Sequence, residues 1–275
     1  MRRALLLVGF LSACGIFPSL DDLQGGTDAS PDVVQDVAQD AVVVQDSGSD
    51  ADAAVCGFPV GPTTGLVAYY DFDEGQGLVA HDCTANQLDG TFVRQDVGAW
   101  VTGKHGSAVR LGAPTGCIEL GSSPLLVFTS SLTVAAWIDV ATYPTSTNLG
   151  YIFAKGNAIN TTGYRFGLEP SVMLGIKIGS TSDAGAFSLT GSGPAAADWH
   201  QVAWTFDTGK SSIYVDGNVM SGTISAPSAI VDDPSSTLTV GCHPGSTTFP
   251  FQGVIDEMRI WNRALTPSEV ASLVQ

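Results

Sequence analysis

The amino-acid sequence predicts an all-β protein in which residues 65–275 form an antiparallel two-sheet β-sandwich with a short C-terminal helix, preceded by a disordered linker. Three observations support this fold class. Short apolar segments recur about every 10–15 residues, which is typical of sandwiches and barrels. Turns rich in glycine separate them, and 32 of the 275 residues are Gly. Helical patterning is confined to the last ten residues, so strands do not alternate with helices as they do around a parallel sheet.

The first residues have the layout of an export signal. Met1 to Arg3 is basic, and Ala4 to Leu11 is apolar apart from Gly9, which is too short for the ~20 apolar residues that span a bilayer. The four residues that end at Cys14 resemble the bacterial lipobox, in which the Cys becomes the lipidated first residue of the mature chain. The resemblance implies a signal peptide over residues 1–13 and a lipid anchor in the membrane at Cys14. Because Gly15 rather than Asp follows, it also implies an outer-membrane or cell-surface lipoprotein; an ordinary signal with a chance Cys is the alternative.

The next segment, residues 14–64, is predicted to be a disordered tether. Nine Asp and no Lys, Arg or Glu lie between residues 15 and 55, in a run of low complexity rich in Val and Gln. Val and Asp disfavour helix, Asp disfavours strand, and like charges extend the chain. A calcium-collecting acidic repeat is the alternative, which the irregular Asp spacing disfavours.

Thirteen segments between residues 66 and 261 are predicted to be strands. The clearest runs from Leu132 to Val140 and alternates with period two over nine residues. Asp216-Gly217 lies between apolar alternations and predicts a tight hairpin turn. The strand predictions in chain order are 66–72, 90–93, 108–111, 117–120, 132–140, 151–155, 164–168, 174–178, 199–206, 212–215, 219–220, 238–241 and 253–261.

The helix prediction rests on the last ten residues. Thr266 is placed as the N-cap, Pro267 occupies the first helical position and Glu269 the third, which is the pattern of a capping box. Val270 and Leu273 begin an apolar stripe that would lie on the sandwich.

Apart from Cys14, the chain has four cysteines, which indicates two disulfides in an exported protein. Metal ligation is the weaker interpretation, since there is no C-x-x-C pair. Three connectivities are open. We favour Cys83–Cys117, because both flank early strands of one sheet region, and this leaves Cys56–Cys242.

Seven segments resemble, in the same order, the motifs of laminin G-like, concanavalin A-like lectin/glucanase jelly-roll domains. They are GLVAYYDFDEGQG (65–77), HDCTANQLDGT (81–91), KHGSAVRL (104–111), LTVAAWI (132–138), WHQVA (199–203), YVDG (214–217) and FQGVIDEMRIWNRALT (251–266). The resemblance covers residues 65–275. It implies two curved antiparallel sheets and a scaffold used to bind glycans, proteins or matrix, sometimes appended to enzymes; fold alone does not fix function.

The same resemblance implies a structural calcium, because domains of this superfamily often link the first strand region to the Asp that opens the last strand through this ion. Asp73 and Asp256 stand at the two matching positions, and Asn86 and Asp89 are candidate further ligands. In the alternative, Asp73 and Asp256 cap turns and bind water or backbone N–H groups.

Composition and motifs favour binding over catalysis. There are 27 acidic and 11 basic residues, for a formal net charge of −16, and there is no basic stripe for nucleic acid. No two acidic residues stand two positions apart on a strand, as the carboxylates of sandwich glycosidases do, and we expect the adjacent Asp256 and Glu257 to point to opposite faces.

We therefore expect a surface-displayed module for a polysaccharide or glycoprotein ligand, with a protein-adhesion module or a remote glycoside hydrolase as alternatives. Aromatic side chains in loops and at strand ends are the candidate sugar contacts, whereas Trp137, Trp204 and Trp261 are predicted to pack in the core. The candidate contacts are Trp100, Tyr143, Tyr151, Phe187, His243 and Phe249.

Overall fold

The computed structural model describes residues 56–57, 60–93, 100–112, 116–145, 149–156, 162–179, 187–225, 227–245 and 249–275, with backbone alone at 187–189 and 221–225. The predicted signal peptide, the predicted lipidation site Cys14 and most of the predicted tether lie outside these residues. No helix in the described part of the chain is long and apolar enough to cross a membrane.

The described chain is built from β-strands that pair antiparallel into two sheets. Sheet A has the strand order β14-β13-β12-β7-β16-β5-β4, with β1 also paired to β16, and sheet B has the order β11-β10-β9-β8-β15-β6-β3-β2. The strands are β1 (Leu66–Tyr70), β2 (Val79–Ala80), β3 (Gly90–Val93), β4 (Trp100–Thr102), β5 (Ser107–Leu111), β6 (Cys117–Gly121), β7 (Ser131–Val140), β8 (Gly150–Lys155), β9 (Tyr164–Glu169), β10 (Met173–Ile178), β11 (Phe187–Ser192), β12 (Trp199–Asp207), β13 (Lys210–Val215), β14 (Asn218–Ser225), β15 (Leu238–Val240) and β16 (Gly253–Trp261).

The main core lies between the two sheets and follows the period-two pattern of the sequence. In β7 the even-numbered residues from Leu132 to Val140 enter this core, whereas Thr133, Ala135 and Trp137 face outward. Sheet B contributes a matching inner row, in which Tyr164 and Phe166 pack against Trp204 of sheet A. The predicted two-sheet antiparallel sandwich is confirmed.

A second, smaller apolar cluster covers part of the outer face of sheet A. The helix α1 (Pro267–Ala271) and the following 3-10 turn place Val270 and Leu273 against Trp261 and Tyr214. Thr266 and Glu269 form the predicted capping box, and the 3-10 helix Pro124–Leu126 is a second short helical element that the sequence did not predict. Trp261 is thus buried under the helix, outside the main core.

The two disulfides join Cys56 to Cys83 and Cys117 to Cys242, so the favoured pairing of Cys83–Cys117 and Cys56–Cys242 is wrong. Closeness in sequence misled the prediction, because β6 pairs with β15 as well as with β3. Val240 lies opposite Ile118, which brings Cys242 beside Cys117, with 5.6 Å between their Cα atoms. Both disulfides fit an exported protein.

Candidate functional site

The outer face of sheet B carries a shallow cavity of about 180 Å³, open solvent included, which we call the trough. It crosses β8, β9 and β10. Its lining residues are Leu149, Tyr151, Arg165, Gly167, Leu168, Glu169, Gly175, Ile176 and Lys177.

Two glycines keep the floor of the trough flat. Gly167 of β9 and Gly175 of β10 are direct register partners, and Gly167 also lies opposite Tyr151 of β8. A Cβ on Gly167 would lie 2.4 Å from the carbonyl oxygen of Gly150, and a Cβ on Gly175 would lie 2.6 Å from Cγ of Glu169. Because strand residues alternate between faces, both glycines face the trough, where they allow the Gly150 carbonyl and the Glu169 side chain to lie close to the sheet.

A cluster of three aromatic rings, which we call the aromatic wall, adjoins the trough through Tyr151, the member of the cluster that lines it. The ring centroids of Tyr151 and Phe249 are 5.4 Å apart, those of Tyr151 and His243 are 5.9 Å apart, and those of His243 and Phe249 are 6.3 Å apart. Tyr151 and His243 are buried, and Phe249 is half-buried. Burial lowers the pKa of His243, and this favours a neutral imidazole in the wall.

Charged side chains line the trough beside the glycine floor. Arg165 donates from Nη1 to the hydroxyl of Tyr151 at 3.0 Å, and its guanidinium lies 5.5 Å from the centroid of that ring. Lys177 is the register partner of Arg165 on the next strand. Burial raises the pKa of Glu169, while Lys177 and Arg165 act to lower it. The trough therefore offers two cations, one carboxylate and an aromatic wall around a flat floor.

A second concavity, which we call the groove, lies on the outer face of sheet A and has a volume of about 540 Å³, open solvent included. The N-terminal segment at Gly57 and the C-terminal residues form its sides. Its lining residues are Gly57, Val60, Tyr69, Asp71, Asp73, His105, Trp137, Glu257, Arg259, Leu273 and Gln275.

Hydrogen bonds fix the charged groups of the groove. The hydroxyl of Tyr69 donates to Oε2 of Glu257 at 2.9 Å, and Arg259 pairs with the same oxygen. The guanidinium of Arg259 also lies over the ring of Tyr69, 4.5 Å from its centroid. Asp71 accepts the backbone N–H of Gly57 at 2.9 Å. Burial raises the pKa of Tyr69, which keeps its hydroxyl protonated as a donor.

A β-bulge in β16 corrects the expectation that Asp256 and Glu257 point to opposite faces. The register with β7 shifts between Asp256 and Arg259, and Glu257 has a φ of 53°. Asp256 lies opposite the outward-facing Trp137, and the bulge turns Glu257 to the same side. Both carboxylates therefore lie on the outer face of sheet A.

The structure places the four predicted calcium ligands in two separate groups, with Asp256 in β16 and the other three in loops. Asp73 and Asp256 converge on the turn between β4 and β5, where they accept the backbone N–H groups of Ser107 at 2.6 Å and His105 at 2.9 Å. This is the hydrogen-bonding role given above as the alternative. Asn86 donates to the carbonyl of Val67.

The fourth candidate, Asp89, accepts the N–H of Asp82 and contacts His81, in the same loop as Asn86. Among the described residues, the group of three potential metal-ligating side chains with all ligand atoms within 4.8 Å of one another is Cys56, Asp71 and Cys83. Because these cysteines are disulfide-bonded, that group does not offer thiolates to a metal.

One oxygen near the β4–β5 turn does fit a cation. Asp256 is fully buried, and within the described part of the chain its Oδ1 has no hydrogen-bond partner. Burial raises the pKa of Asp256 to about 7. A hard cation accepts such an oxygen as a ligand, and Asp73 holds the other side of the same turn. Asp256 therefore keeps one oxygen that a cation could take, whereas Asn86 and Asp89 already form hydrogen bonds within the 81–89 loop or to Val67.

Of the predicted sugar-contact aromatics, the structure brings Tyr151, His243 and Phe249 together. Trp100 packs on Phe92 and donates to the carbonyl of Gly77, and Tyr143 donates to the carbonyl of Pro194. The side chain of Phe187 lies outside the described part of the structure. Sequence reasoning missed Arg165, Glu169 and Lys177, although their alternation with the buried residues of β9 and β10 marks them as one outward row.

The three tryptophans predicted to lie in the core are all buried, but they occupy different places. Trp204 lies in the main core, and Trp261 lies under the helix. Trp137 lines the groove, where Lys104 lies over its ring at 4.5 Å.

Comparisons with known proteins agree with this architecture. Residues 112–271, more than half of the chain, match the Laminin_G_3 family model, which is described as the concanavalin A-like lectin/glucanases superfamily. No curated protein matches the chain.

Among solved structures, domain 4 of AbnA, a GH43 extracellular arabinanase from Geobacillus stearothermophilus in complex with arabinotriose, is 25% identical with a TM-score of 0.59; the match covers 76% of this chain and 98% of that one. The binding domain of Paraclostridial Mosquitocidal Protein 1 is 16% identical with a TM-score of 0.59, covering 77% of this chain and 52% of that one. The CBM40 of the Ruminococcus gnavus IT-sialidase, bound to α2,3 sialyllactose, is 13% identical with a TM-score of 0.51. The match covers 61% of this chain and 96% of that one.

Proposed function

Because this chain belongs to the concanavalin A-like lectin/glucanase superfamily, we propose that it is a non-catalytic carbohydrate-binding module displayed by an exported lipoprotein, and that the trough is its sugar site. The observation that carries the proposal is the half-buried ring of Phe249, packed against the buried rings of His243 and Tyr151, the last of which lines the trough. Sugar rings pack their C–H faces on aromatic walls, and their hydroxyls pair with charged groups such as those of Arg165 and Glu169.

The likeness to the arabinanase domain supports the same proposal. That domain is 25% identical over nearly its whole length, and it was solved with arabinotriose. A short neutral oligosaccharide is therefore the first probe for the side chains of β9 and β10 that line the trough.

The non-catalytic part of the proposal rests on the carboxylates. Glycoside hydrolysis generally uses a pair of carboxyl groups around the scissile bond. Within the described residues, Glu169 is the single carboxylate that lines the trough. In the groove, Glu257 is held by Tyr69 and Arg259, which suits it to binding rather than to proton transfer.

Calorimetric titration with linear arabino-oligosaccharides and with sialyllactose tests the sugar site. We expect binding to at least one probe, and Phe249→Ala and Lys177→Gln should each weaken it about 10-fold or more, as loss of a stacking or charged contact does. Leu125→Ala, which truncates an exposed side chain on the 3-10 helix, is the matched control. No binding to either probe, together with capture of an envelope protein that sugars do not displace, would favour the adhesion alternative.

We also propose a structural calcium at Asp256 and Asp73. Calcium at about 100 times its dissociation constant should stabilise the fold by about 2.7 kcal/mol relative to the protein in EDTA. Asp256→Asn should abolish that increment, whereas Asp89→Asn should preserve it. Equal melting temperatures with calcium and with EDTA would contradict the proposal.

The lipid anchor at Cys14 is the remaining part of the proposed function. Cys14→Ala should move the protein from the membrane fraction to the soluble fraction of the producing cell, and mass spectrometry of the wild-type N-terminal peptide should show acyl groups. Recovery of the wild type in the soluble fraction would contradict an anchor.

A further inference from the structure

We propose that the groove is a second binding site, separate from the trough, for saccharides that carry a free primary ammonium group. The proposal rests on the proposed function only in taking a saccharide as the ligand. Its chemistry comes from a different face of the sandwich and from different residues.

The charge of the groove selects for a cation. Asp71, Asp73 and Glu257 contribute three carboxylates, and Arg259 contributes one guanidinium. With no calcium bound at Asp73, the three carboxylates outnumber the two cations, Arg259 and the Lys104 ammonium over Trp137, so the groove is net negative. The trough, with Arg165 and Lys177 against Glu169, is net positive. A ligand ammonium is attracted electrostatically to the groove and repelled by the trough, whereas an anionic sugar is attracted to the trough and repelled by the groove.

A buried donor in the groove lacks an acceptor. Arg259 is only 5% exposed, and its Nε has no hydrogen-bond partner among the residues that the structure describes. A buried N–H without a partner is unfavourable, and a ligand oxygen that accepts from it removes that penalty. The groove is thus complementary to a ligand that carries both a cation and a hydrogen-bond acceptor. A simple amine carries only the cation.

Lys104 marks a position in the groove that accommodates an ammonium group. Its Nζ lies 4.5 Å from the centroid of Trp137, and the edge of His105 meets the same ring at 6.2 Å between centroids. Lys104 is exposed, and a cation–π contact at an exposed site is weak. A ligand ammonium can therefore take its place over Trp137 when the lysine swings into solvent.

An amino sugar meets these demands at once. Its ammonium takes the place of the Lys104 ammonium over Trp137, and a neighbouring hydroxyl or ring oxygen accepts from Nε of Arg259.

Titration with glucosamine tetramer, compared with the N-acetylated tetramer, tests the inference at a mildly acidic pH where the amine is protonated. The two probes differ in charge but share the ring. We expect the free-amine probe to bind at least 10-fold more tightly. Glu257→Gln should weaken its binding at least 10-fold, and Glu169→Gln in the trough should leave it unchanged.

Lys104→Ala provides a second variant on an exposed loop residue, in case Glu257→Gln fails to fold. Because this lysine competes with the ligand, its removal should strengthen glucosamine-tetramer binding severalfold, which a purely structural role would not produce. Equal affinity for the two tetramers, unchanged binding in Lys104→Ala, or equally tight binding of tetralysine would overturn the inference. Arabinotriose titration of the same variants reports on the trough separately, so either site can fail alone.

Discussion

Gly167 and Gly175 lie side by side on the outer face of sheet B, but their surroundings differ in what can move. The nearest atom to a Cβ on Gly167 is the backbone oxygen of Gly150, at 2.4 Å. The nearest atom to a Cβ on Gly175 belongs to the side chain of Glu169, at 2.6 Å. A backbone neighbour must shift the strand, whereas a carboxylate side chain only has to rotate.

The two glycines therefore form a matched pair of substitutions. Gly167→Ala should lower the free energy of unfolding by about 1–3 kcal/mol, because the methyl group forces β8 away. Gly175→Ala should cost less than about 1 kcal/mol, since Ala relieves some of the entropy cost of glycine. It should nevertheless weaken sugar binding, because it displaces Glu169 into the trough. Urea titration and calorimetry measure the two effects, and equal loss of stability in both variants would contradict the packing described here.

Glu169 should make sugar binding in the trough depend on pH. Burial raises the pKa of this carboxyl, and Lys177 and Arg165 partly offset the rise. As the pH falls through that pKa, the carboxylate gains a proton and ceases to be a charged acceptor, so affinity should drop about 10-fold. Glu169→Gln should show the weaker affinity at every pH. If the sugar affinity of the wild type does not change across the acid range, Glu169 does not contact the sugar directly.

At the scale of elements, most strands could be predicted from the sequence, because the two faces of a strand differ in polarity and apolar residues therefore alternate with polar ones. The segments that were missed are short or poor in apolar residues, namely β2 at Val79–Ala80, β4 at Trp100–Thr102 and β11 at Phe187–Ser192. The bulge at Glu257 was also missed, since an extra residue in a strand leaves no mark in a two-residue period. That one shift places Glu257 in the groove.

The C-terminal helix depends on Glu269. Its carboxylate accepts the N–H of Thr266 at 2.8 Å and two hydrogen bonds from Arg263, at 3.0 and 2.7 Å. Glu269→Gln keeps a side-chain acceptor for the cap and loses the ion pair, whereas Glu269→Ala loses both. We expect a loss of about 0.5 kcal/mol for Gln and about 1–2 kcal/mol for Ala. A smaller loss for Ala than for Gln would show that the cap does not hold the helix.

The same carboxylate gives stability a dependence on acid pH. The hydrogen bonds from Arg263 lower the pKa of Glu269 to about 2, from 4.5 in an unfolded chain. Because the folded state binds this proton more weakly, the stabilisation is complete above about pH 4.5 and is lost as the pH falls through about 2. Comparison of wild type and Glu269→Gln by urea titration at several acid pH values should show the gap between them closing toward pH 2.

At the scale of the whole molecule, sequence predicted the sandwich but not the sites. The trough needs β8, β9 and β10 side by side and the loop with His243 and Phe249 folded onto Tyr151, residues almost 100 positions apart. Each aromatic was recognisable as a candidate, yet nothing local says which of them meet. The predicted disulfide pairing was wrong for the same reason, because the pairing of cysteines depends on the order of the strands in space.

The two disulfides should contribute unequally to stability. Cys117–Cys242 spans 125 residues and Cys56–Cys83 spans 27. In the chain-entropy account, closing the longer loop restricts the unfolded chain more, so removal should cost about 5 kcal/mol for the first and about 3.5 kcal/mol for the second. Urea titration of the Cys117→Ala/Cys242→Ala and Cys56→Ala/Cys83→Ala variants measures the order.

Ligand binding should follow the opposite order. Cys56–Cys83 holds the segment in which Gly57 donates to Asp71 at the side of the groove. Its removal should weaken glucosamine-tetramer binding in the groove even where the fold persists, because the wall next to Asp71 is released. Cys117–Cys242 joins β6 to the chain after β15, away from the groove, so its removal should lower stability with little change in that affinity. If both variants lose stability and groove affinity in the same proportion, the disulfides act on the sandwich as a whole and not on separate parts of it.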